Sequence, residues 1–333
     1  MIRIAINGFG RIGRLVLRAA IDCQDIEVAA INDLGDAFAL SQLLKYDSVH
    51  GAFPYPVMLY KDRFQIKGMD IHIFAQKDPS LLPWKNLGID VVVESTGIFR
   101  TKEGMQKHID AGAKKVILSA PAKGDDAGVK TIVIGVNEHE YQGEAFISNA
   151  SCTTNCFAPL AKVLNDNYGI VSGVMTTVHS YTADQMLHDA PHKDLRRAKA
   201  AALNIVPTST GAANAVMKVI PALKGRLVAS AIRVPTADGS LVNFVAELRQ
   251  KDIRVEQVNE LFRNVSRYHL KGILEYSEDP LVSSAIIGNP HSCIFDSSLT
   301  TIVDADLLAV TAWYDNEWGY SKRIVDLIKQ VQR

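Results

Sequence analysis

The sequence predicts an α/β protein with two domains, and three observations along the chain predict it. A short β-branched strand at the amino terminus runs into a glycine-rich turn and then into a helical pattern. Continuous apolar strand segments recur up to about residue 150, as in parallel sheets that are buried on both faces. Longer alternating strands follow, which favours an α+β domain with a largely antiparallel sheet. We therefore predict a first domain over residues 1–150 and a second domain from residue 151.

The composition is that of an ordinary globular protein, since 47% of the 333 residues are hydrophobic and 22% are charged. The 36 basic residues balance the 36 acidic residues, so we expect neither nucleic acid nor a membrane surface as a partner. We see no secretion signal and no apolar run of about 18 residues that could span a membrane. Four unevenly spaced cysteines fit a reducing cytoplasm rather than a disulfide scaffold.

The glycine-rich turn is the first candidate binding site. Residues 2–6 form the β-branched strand, and Gly8, Gly10 and Gly13 follow in the pattern GxGxxG directly before a helix. In this context the glycines allow a tight turn, a close approach of a pyrophosphate to backbone N–H groups, and close packing of the helix on the strand. The pattern therefore predicts a Rossmann-type, doubly wound domain that binds a dinucleotide. The alternative is a simple glycine turn.

Asp33 ends the second predicted strand, twenty residues after Gly13. A carboxylate at this spacing can accept hydrogen bonds from the adenosine ribose hydroxyls and repel a 2′-phosphate. The sequence therefore predicts NAD, rather than NADP, as the cofactor. A solvated loop acid is the alternative interpretation of Asp33.

The rest of the first domain alternates strands and helices around a small insertion. Short alternating runs between residues 64 and 74 predict antiparallel strands. The apolar segments 90–94 and 115–121 predict parallel strands, and Ser119 lies near a carboxyl end, where doubly wound sheets bind ligands. We predict one more strand over residues 131–135 before the domain ends.

Cys152 lies in the run SNASCTTNC, among small polar residues that precede a helical pattern. Such residues start helices, so we predict Cys152 at a helix N-terminus. Unpaired N–H donors and the helix dipole favour the thiolate there, which is the form of cysteine that attacks. The pattern thus predicts a nucleophile, and a buried cysteine that only fills space is the alternative.

Cys156 follows one helical turn after Cys152. We interpret it as a core neighbour on the same face of the helix, while a reversible disulfide between the two thiols under oxidation stays open. A zinc site needs four clustered ligands, whereas Cys23 and Cys293 are isolated in the sequence. We therefore predict no metal site.

The second domain contains the candidate base. Alternating strands are predicted at residues 174–179, 227–234, 241–248 and 307–313. His179 closes the first of these strands. Most histidines have no catalytic role, but a nucleophilic cysteine needs a base or an imidazolium partner. We therefore predict that His179 acts with Cys152.

Two stretches of the second domain are suited to anions. Residues 191–199 form a basic loop, and residues 207–213 place hydroxyls and a glycine at a predicted helix start, where a phosphate can bind. Arg233 ends a strand and can offer a bidentate guanidinium. Taken singly, each feature is also consistent with a solvated loop or an ordinary helix cap.

Seven motifs occur in the order typical of one family and span essentially the whole chain. They are INGFGRIGR, SNASCTTNC, HSYT, PHKDLRRA, PTSTGAA, RVPT and WYDNEWGYS. The chain thus resembles the phosphorylating glyceraldehyde-3-phosphate dehydrogenases. This resemblance implies NAD-dependent oxidation of D-glyceraldehyde 3-phosphate to 1,3-bisphosphoglycerate with inorganic phosphate. Cys152 would form a hemithioacetal and then a thioester, and His179 would activate the thiol and accept the hydroxyl proton.

The resemblance also implies two anion sites and a set of cofactor contacts. The substrate phosphate would meet Thr182, Arg197 and Arg233. The attacking phosphate would meet Ser151, Thr153, Thr210 and Gly211. Asn316 would orient the nicotinamide amide, and the other implied cofactor contacts are Arg11, Ile12, Asp33, Lys77, Ser119 and Tyr320.

Family members are homotetramers whose last helix packs back on the first domain. The resemblance therefore implies a homotetramer, a catalytic domain over residues 151–317, and a helix over residues 318–333 on the NAD-binding domain. The nearest alternative is erythrose-4-phosphate dehydrogenase, which shares the nucleophile, the base and the NAD domain. Residues 208–211 follow the triose phosphate form, whereas residues 279–283 lean towards the alternative. A binding protein without catalysis is a further alternative, which the pair of candidate catalytic residues disfavours.

Overall fold

The computed structural model describes residues 1–124, 128–304 and 306–332. These residues form two compact units. The first contains residues 1–132, residues 138–150 and the chain from Ser321 onward, and the second contains residues 133–137 and 151–320. Each unit is built around one main sheet.

The first unit alternates strands and helices in the manner that the sequence predicts. Its strands are β1 Ile2–Asn7, β2 Ile26–Asn32, β3 Tyr46–Asp47, β4 Gly51–Ala52, β5 Met58–Leu59, β6 Arg63–Ile66, β7 Met69–Phe74, β8 Val91–Glu94, β9 Lys115–Leu118, β10 Lys130–Thr131 and β11 Phe146–Ser148. Its helices are α1 Arg11–Ala20, α2 Ala37–Lys45, α3 Trp84–Leu87 and α4 Lys102–Asp110.

The main sheet of this unit has the order β10-β11-β9-β8-β1-β2-β7-β6-β5 in the described part of the chain. All neighbours from β10 to β7 are parallel, while β5, β6 and β7 pair antiparallel. The predicted parallel sheet and its antiparallel insertion are therefore confirmed. Every residue of β8 is buried, which explains why this strand reads as a continuous apolar run.

The strand predicted over residues 131–135 is wrong beyond its first residue. The strand β10 covers Lys130–Thr131, and the Ile132 N–H still donates to the Ser148 carbonyl at 2.9 Å before the chain turns. Gly135 has a φ of 86°, and the Val133 N–H donates to the Asn137 side chain at 2.8 Å instead of to a neighbouring strand. The apolar run is buried by this turn rather than by sheet pairing. Strand β11 escaped prediction because three residues carry no readable period.

The second unit contains a mixed, largely antiparallel sheet. Its strands are β12 Ile170–Ser180, β13 Val206–Thr208, β14 Leu227–Val234, β15 Ser240–Leu248, β16 Leu274–Ser277, β17 Cys293–Val303 and β18 Leu307–Tyr314. Its helices are α5 Cys152–Tyr168, α6 Ala212–Val219 and α7 Val255–Arg267. The strand order is β13-β14-β12-β15-β18-β17-β16 among the described residues.

The four strands predicted in this half correspond to β12, β14, β15 and β18 and are confirmed. Pairs β13–β14, β12–β15, β15–β18 and β17–β18 are antiparallel, while β12–β14 and β16–β17 are parallel. Strand β17 was missed because serine, threonine and aspartate interrupt its apolar residues. Its first five residues are all buried despite this polarity.

Helices α5, α6 and α7 cover one face of the second sheet. The opposite face, which we call the outer sheet face, carries exposed Val174, Val228 and Leu307. The two valines are direct partners across β12 and β14. The second sheet is therefore protected on one side only.

The last helix, α8 Trp318–Gln330, joins the first unit from Ser321 onward. Ile324, Leu327 and Ile328 are fully buried, and the Lys329 ammonium lies 3.0 Å from a carboxylate oxygen of Asp25. Within the described ranges, no helix combines the length and the apolar character that a bilayer-spanning segment requires.

Candidate active site

Cys152 is the first residue of helix α5, and the residues before it form the helix cap. Ser151 has an extended backbone, and its Oγ accepts a hydrogen bond of 3.1 Å from the Thr154 N–H. This bond satisfies one of the N–H groups that a helix start leaves unpaired. The cap holds Cys152 in the first turn of the helix, which is the position that the sequence predicts.

His179 lies beside Cys152, although 27 residues separate them in the chain. The distance between the Cys152 Sγ and the His179 Nε2 is 3.5 Å. The other ring nitrogen, Nδ1, lies 2.7 Å from the Ser180 carbonyl oxygen. A carbonyl can only accept, so Nδ1 carries the proton and Nε2 faces the thiol as a base. Strand β12 supplies both the imidazole and the carbonyl that orients it.

Burial controls the protonation of this pair. It raises the pKa of the Cys152 thiol from 9.0 to about 11, although the Arg233 charge and a hydrogen bond from the Thr153 N–H lower it. Burial also lowers the pKa of His179 from 6.5 to about 3, and Arg233 adds to this shift. The resting pair is therefore a neutral thiol and a neutral imidazole. Burial thus opposes the thiolate that the helix N-terminus is expected to favour.

A chain of hydroxyls lies next to the pair. Tyr314 Oη is 2.9 Å from both Thr153 Oγ1 and Thr177 Oγ1, and Thr177 donates to the Leu241 carbonyl. The only hydroxyl proton of Thr177 is used in that bond, so Thr177 must accept from Tyr314. The hydroxyl proton of Tyr314 is then also used, so Thr153 donates to Tyr314. The Tyr314 ring also contacts the His179 imidazole edge to face, with centroids 5.9 Å apart. The chain thus fixes the first turn of α5 against the central strands.

Arg233 and Thr182 form a candidate anion site near Cys152. Arg233 Nη1 donates to Thr182 Oγ1 at 2.9 Å and to the Ser180 carbonyl at 3.2 Å. Its Nε and the Thr208 hydroxyl are buried without a hydrogen-bond partner among the described residues. Buried donors are normally paired, so these two groups indicate a ligand that accepts hydrogen bonds. An anion fits, since the charge of Arg233 acts on both Cys152 and His179.

Arg197 lies in the basic loop, and acidic neighbours hold it. It pairs with Asp184, and its Nε lies 3.4 Å from Asp194 Oδ2. Its Nη2 also reaches the Ser209 carbonyl at 3.4 Å, which links the loop to the segment before α6. Arg197 therefore approaches the predicted phosphate segment but is already paired with carboxylates.

Thr210 and Gly211 precede helix α6. Thr210 Oγ1 accepts from the Ala212 N–H at 3.2 Å, and the N-cap Gly211 has no side chain to satisfy the helix start. Helix α6 packs against α5, the helix that begins with Cys152. Open N–H groups at this end suit a phosphate, as the sequence predicts.

The first unit contains a cavity of about 540 Å³ at the carboxyl ends of β1, β2 and β8. Gly8 has a φ of 92°, and a Cβ there would lie 2.6 Å from the Thr96 backbone nitrogen. A Cβ on Gly13 would lie 2.1 Å from the Gly8 carbonyl oxygen, whereas one on Gly10 would meet nothing within 4 Å. Gly8 thus allows the turn after β1 to approach the backbone after β8, Gly13 allows α1 to pack closely on that turn, and Gly10 leaves open space at the helix start.

Asp33 and Lys77 line the same cavity. The Asp33 carboxylate accepts from the Phe9 N–H at 2.6 Å and from the Gly35 N–H at 2.8 Å, so it is fixed beside the glycine turn. Arg11, at the start of α1, pairs with Asp47 at 2.7 Å. An extended dinucleotide fits this arrangement, because the cavity offers open helix N–H groups for a pyrophosphate and a carboxylate for ribose hydroxyls.

The remaining predicted residues are divided between the two units. Ile12 belongs to α1, and Ser119 directly follows β9, both in the first unit. Asn316 and Tyr320 belong to the second unit, where both are buried. Asn316 Oδ1 lies 2.6 Å from the Ser240 hydroxyl.

The sequence interpretation missed the side chains that support the two sites. Below the cavity, Asn7 Nδ2 donates to the buried Glu94 at 2.5 Å, and His108 Nε2 lies 3.1 Å from the same oxygen. Asn7 ends β1 and Glu94 ends β8, so their positions at strand ends were the available signal. In the second unit, Tyr314 and Ser240 were missed because no local pattern marks a contact between distant strands.

Comparison with known proteins connects both units to one family. Residues 2–102 match the family model described as "Glyceraldehyde 3-phosphate dehydrogenase, NAD binding domain", and residues 151–316 match "Glyceraldehyde 3-phosphate dehydrogenase, C-terminal domain". The glyceraldehyde-3-phosphate dehydrogenase of Geobacillus stearothermophilus is 54% identical over 98% of this chain and 97% of its own length. The glyceraldehyde-3-phosphate dehydrogenase of Mycobacterium avium is 53% identical over 99% of this chain and 98% of its own length. Glyceraldehyde-3-phosphate dehydrogenase 1 of Bacillus subtilis is 52% identical over 100% of this chain and 98% of its own length.

Proposed function

The chain belongs to the glyceraldehyde-3-phosphate dehydrogenase family, and on this premise we propose that it oxidises D-glyceraldehyde 3-phosphate to 1,3-bisphosphoglycerate with NAD and inorganic phosphate. The observation that carries the proposal is the 3.5 Å contact between the Cys152 thiol and the unprotonated Nε2 of His179. The names of the relatives favour the triose phosphate over the tetrose phosphate alternative.

In the proposed first step, Cys152 Sγ attacks the aldehyde carbon. Its proton passes to His179 Nε2 as the carbon–sulfur bond forms, because the resting thiol is neutral. The imidazolium returns this proton to the developing alkoxide, which gives a hemithioacetal. The backbone N–H at the helix start helps to stabilise the oxygen while it is charged.

NAD, when bound, supplies the acceptor for the aldehyde hydrogen and its electron pair. His179 removes the hydroxyl proton of the hemithioacetal in this step, so that a thioester carbonyl forms on Cys152. The proton stays on Nδ1 throughout, and its hydrogen bond to the Ser180 carbonyl keeps Nε2 directed at the reacting atoms. We propose Asn316 as the residue that orients the nicotinamide amide, with Tyr320 nearby.

Inorganic phosphate then attacks the thioester carbon, and the sulfur leaves as a thiolate that regains the proton from His179. Two anions are present in this step, and the residues divide between them. We propose Thr182, Arg197 and Arg233 for the phosphate of the substrate. For the attacking phosphate we propose Ser151, Thr153, Thr210 and Gly211.

Arg233 fits an anion best, because its buried Nε still lacks a partner among the described residues. Arg197 must exchange Asp184 or Asp194 for a phosphate before it can contribute.

We also propose a homotetramer in the cytoplasm. The outer sheet face supports the assembly, since Val174 is 52% exposed and Val228 is 61% exposed although they pair directly. Exposed apolar side chains that adjoin on one sheet face can mark a contact between proteins. Sedimentation of the purified protein tests the assembly, and a monomer at micromolar concentration would contradict it.

The reaction is tested by initial rates of NADH formation from glyceraldehyde 3-phosphate and from erythrose 4-phosphate, each with and without inorganic phosphate. We expect a phosphate-dependent preference for the triose, lost by about 10³-fold or more in Cys152→Ser. A preference for the tetrose would leave the thioester chemistry intact but change the substrate. Turnover that survives in Cys152→Ser would remove the thiol from the mechanism.

A further inference from the structure

Ser240 connects the strand that carries the catalytic imidazole with Asn316. It is the first residue of β15 and is only 1% exposed. Its Oγ lies 3.1 Å from the Ser180 backbone nitrogen and 2.6 Å from Asn316 Oδ1. One buried hydroxyl therefore contacts both the residue after His179 and the residue proposed to face the nicotinamide.

The direction of both hydrogen bonds follows from their donors. The Ser180 N–H can only donate, so Ser240 Oγ accepts that bond. The single proton of Ser240 is then free for the second contact, and only the oxygen of an amide can accept it. Asn316 places Oδ1 at 2.6 Å from Ser240 Oγ, so Ser240 donates its proton to this oxygen.

The opposite end of the Asn316 amide has no such bond. Among the described residues, its Nδ2 group has no hydrogen-bond partner. Asn316 is only 6% exposed, so its side chain has little freedom to point elsewhere. The amide thus presents two N–H donors to a ligand and keeps its acceptor oxygen engaged.

We propose that Ser240 is a positioning residue that fixes Asn316 so that Nδ2 donates to the carbonyl oxygen of the nicotinamide carboxamide. This inference rests on the proposed function, in which Asn316 orients that group. In this proposal Ser240 acts through Asn316 and not through contact with the cofactor or the substrate. Its role is to decide which end of Asn316, donor or acceptor, the carboxamide meets.

Removal of the hydroxyl makes a specific change in recognition. In Ser240→Ala the amide of Asn316 is free to turn, and its oxygen can then face the ligand. The carboxamide of NAD has both an oxygen and an NH₂ group, so it can bond with either end of Asn316. An acetyl group in its place has only the oxygen and can bond with Nδ2 alone.

The experiment compares equilibrium binding of NAD and of 3-acetylpyridine adenine dinucleotide by calorimetry. We expect Ser240→Ala to weaken binding of the acetylpyridine analogue by about 5- to 10-fold and binding of NAD by less than about 3-fold. These changes lie in the range of one neutral hydrogen bond. Ser180→Ala is the matched control, because it removes a buried hydroxyl that donates to the Gly239 carbonyl at 3.2 Å and keeps both Ser240 bonds. It should leave the ratio of the two affinities unchanged.

Two outcomes separate this inference from the proposed function. An affinity ratio in Ser240→Ala within about 2-fold of the wild-type ratio would overturn the positioning role, and so would an equal shift in Ser180→Ala. If the wild type binds neither dinucleotide, the proposed function itself fails. Should Ser240→Ala not fold, Ser240→Cys provides the same comparison with a weaker donor and an expected shift of about 3-fold.

Discussion

The cavity of the first unit and the thiol site of the second unit are built from different parts of the chain. The cavity depends on backbone: Gly13 brings α1 close to the turn after β1, Gly8 brings that turn close to the backbone after β8, and the helix start supplies N–H groups. The thiol site depends on side chains from distant strands: His179 contacts Cys152, and Tyr314 contacts both His179 and Thr153. A site built from backbone can be recognised in a local sequence motif, whereas the properties of a site built from side chains depend on strand register and burial.

The largest expected effect separates chemistry from binding at the thiol site. We expect His179→Asn to lower kcat by about 10²- to 10⁴-fold, because asparagine cannot accept the proton of the thiol. NAD affinity, measured by calorimetry, should change by less than about 2-fold, since the cavity of the first unit is untouched. A kcat within about 3-fold of wild type would show that Nε2 is not the base.

The reactivity of Cys152 towards iodoacetamide should follow burial rather than the helix dipole. Below its pKa of about 11, the fraction of thiolate rises about tenfold with each pH unit, so alkylation should accelerate throughout the range from pH 7 to 10. His179, with a pKa of about 3, stays neutral above pH 5 and should add no inflection near pH 6.5. A plateau of the alkylation rate near neutral pH would show that the helix N-terminus dominates after all.

A pair of glycine substitutions tests the backbone site. We expect Gly13→Ala to lower the free energy of unfolding by about 1–3 kcal/mol, because its Cβ would collide with the Gly8 carbonyl at 2.1 Å. The displaced helix should also weaken the binding of NAD by about 10-fold or more. Gly10→Ala is the matched control for stability, since its Cβ has no neighbour within 4 Å.

In Gly10→Ala the melting temperature should stay within about 1 °C of the wild-type value. The added methyl group should still crowd the cavity and weaken the binding of NAD. Equal melting temperatures for the two variants would contradict the close packing assigned to Gly13.

The smallest expected effect concerns the choice between two dinucleotides. Asp33→Ala should relax discrimination against NADP by about 10-fold, because it removes a charge that repels a 2′-phosphate. Binding of NAD should weaken modestly, since the carboxylate also holds the Phe9 N–H at 2.6 Å. An unchanged NAD to NADP preference would assign the selection to another residue.

The same contrast explains which parts were predictable from the sequence. Strand β1, the glycine turn and α1 follow from local pattern, and so does the start of α5 at Cys152. The turn at Gly135 and strand β17 were not predictable, because burial by distant residues replaces the pairing or the period that a sequence shows. The desolvation that raises the pKa of Cys152 could not be predicted for the same reason, since burial is absent from a local motif.

The Ser180 carbonyl accepts two donors, the His179 Nδ1–H at 2.7 Å and Arg233 Nη1 at 3.2 Å. This shared oxygen gives the active site a thermodynamic coupling between anion occupancy and proton affinity. A phosphate that draws Arg233 away leaves the carbonyl to the imidazole alone and offsets the positive charge that depresses its basicity. By reciprocity, a protonated His179 binds the anion more tightly than a neutral one. Under the role that we propose for Arg233, the phosphate of the substrate raises the basicity of His179, and an aldehyde without a phosphate group meets a weaker base.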